Sequence, residues 1–290
     1  MLRKQYYRYT MFLPGFAVFC LFFVLPSFGS FFYGFTNLDS GFTFTRFVGF
    51  ENFINLMREP DNFIAFKNTL IFAFLTTFFK VGLGLLLAIF VNLKLKTTLY
   101  LRSMLFFPVI LSTIAVSLAF TAMLHPERGI LNEFLRWVHM DFLAQSWLTN
   151  REIVMYSVSM VEIWKYTGLS VILFLAALQS IPKEVTESAQ LDGATGWKSL
   201  RHITFPLLLP VFNTSIVLHL IGGLKVFDLI IALTGGGPGN ASMVINTLIY
   251  KSFTQGRNGE ATAASFILFL LVLFIVLMVN RLLPKHETER

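Results

Sequence analysis

Six long apolar runs set what this chain can fold into. They cover about residues 10–35, 64–91, 103–124, 153–178, 207–233 and 261–283. A bilayer-spanning helix needs about 20 apolar residues, so each run is long enough to cross with some tilt. The runs are continuous rather than alternating, which favours helices over a barrel. Charge is confined to islands between them: only 13% of the 290 residues are Asp, Glu, Lys or Arg, against roughly 25% in a soluble domain. The fold class expected is an all-α membrane protein, a single six-helix transmembrane domain over residues 1–290. The first run follows Arg3, Lys4 and Arg8 as a signal-peptide core would, but stays apolar through "SFGSFFYGF". A retained anchor is therefore expected.

The basic residues set orientation. An even number of spans puts both termini on one side. That side carries Arg3, Lys4, Arg8, Lys94, Lys96, Arg102, Lys183, Lys198, Arg201, Arg281, Lys285 and Arg290. The other carries Arg46, Arg58, Lys67, Arg128, Arg136, Arg151, Lys251 and Arg257, diluted by more acids. The positive-inside rule places the first set, both termini and the segment around Glu187 in the cytoplasm. The net charge of +7 forms no basic stripe with interleaved aromatics, so no nucleic-acid partner is expected. The single cysteine, Cys20, excludes an internal disulfide and a cysteine-based metal site.

Between the fourth and fifth runs, about residues 180–206, lies "ESAQLDGATGWKS", with two glycines and a Lys-Ser. It is not a phosphate-binding loop. Trp197 separates Gly196 from Lys198, Gly193 lies only three residues before Gly196, and no buried strand precedes it. The spacing predicts a docking element instead. Val185, Ala189 and Leu191 share a face of a short helix opened by Pro182, Gly193 interrupts it, and Trp197, Leu200, Ile203 and Phe205 form a second helix ended by Pro206.

Ionisable side chains within spans are costly and are functional candidates by default. Glu162 and Lys165 lie three apart in the fourth run, and Lys225 and Asp228 three apart in the fifth, so each pair can share a helical face and neutralise itself. Alternatively they line a wet cavity that hydrogen-bonds a polar solute, with Trp164 or Tyr166 as an aromatic platform. Lys80 has no acidic neighbour on its own helix. Asn213 and Thr214 can satisfy backbone groups between helices. In "ERGILNEFLRWVHM", Ile130, Phe134, Leu135 and Val138 fall on one face of a short interfacial helix. The Phe-rich "GFTFTRFVGFENF" is expected to pack on the membrane surface. Gly235, Gly236, Gly237 and Pro238 in "LTGGGPGNAS" suit a tight turn or close approach of another chain.

The stretch "IPKEVTESAQLDGATGWKSLRHITFPLLLP" resembles the EAA loop of permease subunits of binding-protein-dependent ABC importers. The pattern falls on Glu187, Ser188, Ala189, Gly193, Ile203, Phe205 and Pro206, with Ser188 standing for Ala and Phe205 for Leu. "RSMLFFPVILS", "IWKYTGLSVILFLAALQ" and "KVFDLIIALTGGGPGNAS" are similar to the carbohydrate branch, so the resemblance covers almost the whole chain. It implies a bacterial inner-membrane subunit for a sugar or oligosaccharide. Its partners would be a second homologous permease, an ATPase dimer that alone binds ATP and Mg²⁺, and an extracytoplasmic solute-binding protein, with membrane lipid around it. This chain would hold no cofactor, metal or catalytic residue. Glu187, Ser188, Ala189, Asp192, Gly193, Ala194, Ile203 and Pro206 would couple to the ATPase. Lys80, Glu162, Trp164, Lys165, Lys225 and Asp228 would be candidates for the solute path, and Gly235 to Pro238 would lie near the outer gate. Two alternatives stay open: a permease of the same class for a solute such as glycerol phosphate, and an ion-gradient-driven transporter, for which Glu162 and Asp228 could serve. An embedded enzyme is disfavoured because His125, His139, His202, His219 and His286 are scattered.

Overall fold

The computed structural model describes residues 11–38, 41, 46–93 and 98–283. Arg3, Lys4, Arg8, Lys94, Lys96, Lys285 and Arg290, used above for orientation, and residues 42–45 of the Phe-rich stretch lie outside them. The helices are α1 (Leu13–Tyr33), α2 (Glu51–Arg58), α3 (Pro60–Asn92), α4 (Thr98–Ile110), α5 (Thr113–Met123), α6 (Ile130–Trp137), α7 (Val154–Ser180), α8 (Lys183–Leu191), α9 (Trp197–Leu224), α10 (Asp228–Thr234), α11 (Ile245–Thr254) and α12 (Asn258–Leu282). Five of them, α1, α3, α7, α9 and α12, are each long and apolar enough to cross a membrane. The pair α4 and α5 makes a sixth span only if counted together.

Two expected spans are thus broken. The third run is not one helix: α4 and α5 meet at 97°. Pro108 inside α4 removes a backbone donor and crowds the preceding turn, and Leu111–Ser112 turn the chain before α5 starts. The fifth run ends early, at Leu224, and resumes as α10 after three non-helical residues. Its start differs too. Pro206 does not end a second short helix, because Trp197–Leu224 runs through it. A π-helical turn, Leu200–Thr204, precedes it, with Phe205 N–H bonded to Leu200 O. The widened turn accommodates a proline that lacks a donor. α1 uses the same device, with the π-turn Cys20–Val24 ahead of Pro26.

The described chain divides into two compact units. One comprises the described residues up to Asn62 together with Leu248–Leu270. Its centre is aromatic: Phe35 lies 4.9 Å from Phe53 and 6.1 Å from Phe266, and Phe31 lies 5.0 Å from Phe266. Asn52 Nδ2 donates to Gly34 O and Thr36 O, both at 2.8 Å, and fixes the chain after α1. Phe47 and Phe50 of the Phe-rich stretch remain exposed.

The second unit comprises Phe63–Thr247 and the described residues from Leu271. There α4 packs on α7, α5 on α10, and α9 on α7. Phe72, Val116, Val158, Leu229 and Ile230 form one buried cluster, and Val81, Val171 and Phe174 another. α7 carries Gly168 where it meets α4, and a Cβ there would overlap the Leu105 carbonyl. Because that neighbour is backbone, it has no rotamer by which to move aside. Gly168→Ala is expected to destabilise the protein by about 1–3 kcal/mol, as overpacking does; thermal unfolding in nanodiscs measures it, and an unshifted midpoint would contradict this packing account. α6 forms as expected, but its apolar residues split. Ile130, Phe134 and Trp137 are exposed along one stripe, while Leu135 and Val138 turn inward. Asn132 anchors the helix, accepting from Trp147 Nε1 at 2.8 Å and donating to Pro126 O and Gln145 O.

Candidate functional site

The two helix breaks put charges at helix ends, where carbonyls or amides lack intrahelical partners. At the end of α4 three carbonyls, of which Pro108 O also accepts from Leu111 N–H, are met by Lys165 from α7. Its Nζ donates to Leu111 O at 2.6 Å, Pro108 O at 3.3 Å and Val109 O at 3.4 Å. An ammonium has three donors and suits the negative end of a helix dipole. Lys165 therefore does not pair with Glu162, three residues away on its own helix. Glu162 accepts instead from Lys80 on α3, Nζ to Oε1 at 3.1 Å, with side chains 1% and 8% exposed. The cation that lacked an acidic neighbour on its own helix finds one across the bundle.

Lys225 and Asp228 also depart from the expected single helical face. They straddle the second break, Lys225 at the C-terminal cap of α9 and Asp228 in the first turn of α10. Each sits at the helix end that its charge stabilises. Both are exposed, and neither forms an ion pair among the described residues.

These features meet in one cavity of ≈ 290 Å³, lined among others by Lys80, Thr113, Glu162, Tyr166, His219, Lys225 and Asp228. Thr113 opens α5 and Lys225–Leu229 contains the second break, so both discontinuities border it. Four of the six charged or aromatic residues singled out from sequence line it. Trp164 does not; it is half-exposed, 5.1 Å from Phe120. Lys165 lies outside the lining, its ammonium 4.7 Å from the centre of the Tyr166 ring, and Tyr166 lines the cavity together with Phe227. His219, not singled out for the path, lines it as well and lies 2.6 Å from Ser170 Oγ, which is 3.3 Å from Ser215 Oγ. Among the described residues no group of three His, Cys, Asp or Glu could hold a metal ion.

The polar loop is a second feature. α8 ends in a Schellman turn: Ala194 N–H bonds to Ala189 O at 2.9 Å and Gly193 N–H to Gln190 O at 3.1 Å. The turn requires left-handed backbone at Gly193, whose φ is +78°. Ala189 is buried, Ala194, Ile203 and Pro206 are half-buried, and Glu187, Ser188, Asp192 and Gly193 are exposed. Ser188 Oγ donates to Glu184 O within the helix. Leu191 does not share the face of Ala189. Two residues on, it points away, and it is 90% exposed; Trp197, across the turn, is 70% exposed. Two large apolar side chains thus project from a polar tip.

The glycine segment after α10 is a pinned turn. Gly235 caps α10 with left-handed backbone, and Gly237–Pro238 is a cis peptide. Ser242 Oγ donates to Gly237 O at 2.6 Å, Arg151 Nη2 to Gly239 O at 3.1 Å, and Asn68 Nδ2 to Ala241 O at 2.8 Å and Met243 O at 3.0 Å.

Known proteins place this architecture. The family model described as "Binding-protein-dependent transport system inner membrane component" matches residues 80–286. The chain is 34% identical to the probable ABC transporter permease protein YurN of Bacillus subtilis, over 96% of this chain and 97% of that one. It is 32% identical to the multiple sugar-binding transport system permease protein MsmF of Streptococcus mutans, over 98% and 97%. A crystal structure of a bacterial alginate ABC transporter, in complex with an alginate pentasaccharide-bound periplasmic protein, contains a chain that superposes with a TM-score of 0.81 at 30% identity, covering 94% of this chain and 92% of that one. The chain belongs to the inner membrane components of binding-protein-dependent transport systems and is a multi-pass membrane protein.

Proposed function

We propose that this inner membrane component is one permease of an ABC importer for a sugar or oligosaccharide, with the cavity between the broken helices as its share of the solute path. It works beside a second, homologous permease, over an ATPase dimer that binds ATP and Mg²⁺, and under an extracytoplasmic solute-binding protein. Both termini and the Glu187 segment face the cytoplasm, and the pinned glycine turn faces the binding protein. The names of the similar proteins support the solute class. The carrying observation for the mechanism is the loop tip. Leu191 and Trp197 are too exposed, on too polar a segment, to serve this chain's own core. They fit instead into a groove on the ATPase. A tip held by the Schellman turn at Gly193 passes the groove's movement into α9, whose helical backbone continues from Trp197, through the π-turn, into the span.

Two substitutions test this separately. Gly193→Val leaves the packing around that site untouched, since a Cβ there meets nothing within 4 Å. It forces left-handed backbone on a branched residue, at about 1–2 kcal/mol. Leu191→Ala keeps the turn and removes an anchor, a truncation worth about 2 kcal/mol or more at a central contact, or roughly 30-fold in affinity. Both are expected to cut ATP-driven uptake at least tenfold with membrane insertion unchanged. Undiminished uptake and ATPase co-purification in both variants would exclude the coupling role.

A further inference from the structure

Four charged side chains line the cavity, and their formal charges cancel: Lys80 and Lys225 against Glu162 and Asp228. Resting on the reading of this cavity as the solute path, we infer that it is matched to an uncharged polyhydroxyl solute and rejects anionic saccharides. The similar alginate importer handles an acidic polysaccharide; the lining of this chain is not built for one.

Selectivity depends on which charges are available. Lys80 and Glu162 are committed to each other at 3.1 Å and nearly buried. An arriving carboxylate or phosphate would have to take the Lys80 ammonium from Glu162 and leave that carboxylate buried without its cation, a losing exchange at low dielectric. Lys165 is no substitute, because its ammonium is spent on three carbonyls at the end of α4 and lies outside the lining. Only Lys225 and Asp228 are exposed to the cavity without an ion-pair partner among the described residues. An anion drawn to Lys225 enters the field of Asp228, three residues along the chain, and the net attraction is reduced.

A neutral sugar meets the same pair on better terms. One hydroxyl hydrogen donates to the Asp228 carboxylate while a neighbouring hydroxyl oxygen accepts from the Lys225 ammonium, so a diol satisfies both charges at once. Tyr166 lines the cavity as well, and Thr113 offers a further hydroxyl. The cavity volume is ≈ 290 Å³. The contacts are few and polar, as release into the cytoplasm requires.

The complete importer without its binding protein, held in nanodiscs, is tested by saturation-transfer NMR against a panel of neutral di- and trisaccharides and against a guluronate trimer, each at millimolar concentration. The neutral probes are expected to show transfer at least fivefold stronger than the uronate. Asp228→Asn, which leaves the lining with one net positive charge, is expected to raise the uronate signal at least threefold and to weaken the neutral ones. Equal or stronger transfer from the uronate in the native importer overturns the inference while leaving the cavity as the solute path. Absence of transfer from every probe removes the solute-path reading and the inference together.

Discussion

Lys165→Met is expected to lower the stability of the importer by about 2–4 kcal/mol and to cut uptake through misplacement of α5. The ammonium does not serve as a binding group in this account; it holds a bent chain. At the break, Pro108 O, Val109 O and Leu111 O converge on one Nζ. Hydrogen bonds to a charged group contribute about 1.5–3 kcal/mol each at best, and a buried carbonyl left without a donor costs about 1–3 kcal/mol. Methionine is unbranched and only one atom shorter but has no proton to donate, so the lost carbonyl contacts dominate the outcome. Lys165→Arg retains charge and donors on a larger planar group and should recover part of the loss. Thermal unfolding in nanodiscs, read beside uptake, checks the order native, Arg, Met. A methionine variant as stable as the native chain would mean that water serves those carbonyls equally well.

The spans, the polar loop and the set of intramembrane charges were legible because each is a local pattern: run length, a glycine at a helix end, a charge among apolar neighbours. The partners of those charges were not. Spacing of three along a helix suggested Glu162 with Lys165 and Lys225 with Asp228, and both suggestions assumed unbroken helices in isolation. Lys80, on a helix remote in sequence, reaches Glu162, and the breaks convert Lys165 and Lys225 into residues that attend helix ends. Pro108 followed by Ser112 was a visible sign of the first break. Gly222 and Gly223 ahead of Lys225 were a fainter sign of the second, since glycine lowers helix propensity without ending a helix. The aromatic stayed open between Trp164 and Tyr166 for a related reason: they are two residues apart, so they lie on different sides of α7, and only the packing of Trp164 on Phe120 decides which one is left for the cavity.

The pairing of Lys80 with Glu162 carries the sharpest test of the bundle, because single and double replacements should move in opposite directions. Glu162→Met leaves an ammonium that is 1% exposed without its countercharge, and Lys80→Met leaves the carboxylate in the same position. Removing one partner of a buried pair destabilises by about 3–5 kcal/mol, and an intramembrane charge deprived of its partner is no cheaper. Replacing both, as Lys80→Met with Glu162→Met, removes the uncompensated charge and fills the space with flexible apolar chains. It is expected to restore stability to within about 1 kcal/mol of the native protein, as apolar replacements of buried pairs often do. With single losses of about 3–5 kcal/mol each and a double loss within about 1 kcal/mol, the double-mutant cycle should give a coupling energy of at least about 5 kcal/mol, above the roughly 0.5–3 kcal/mol usual for contacting residues. A coupling near zero would mean that each side chain is satisfied by water from the cavity beside it. The 3.1 Å contact would then be a consequence of how α3 and α7 pack and not a cause of it.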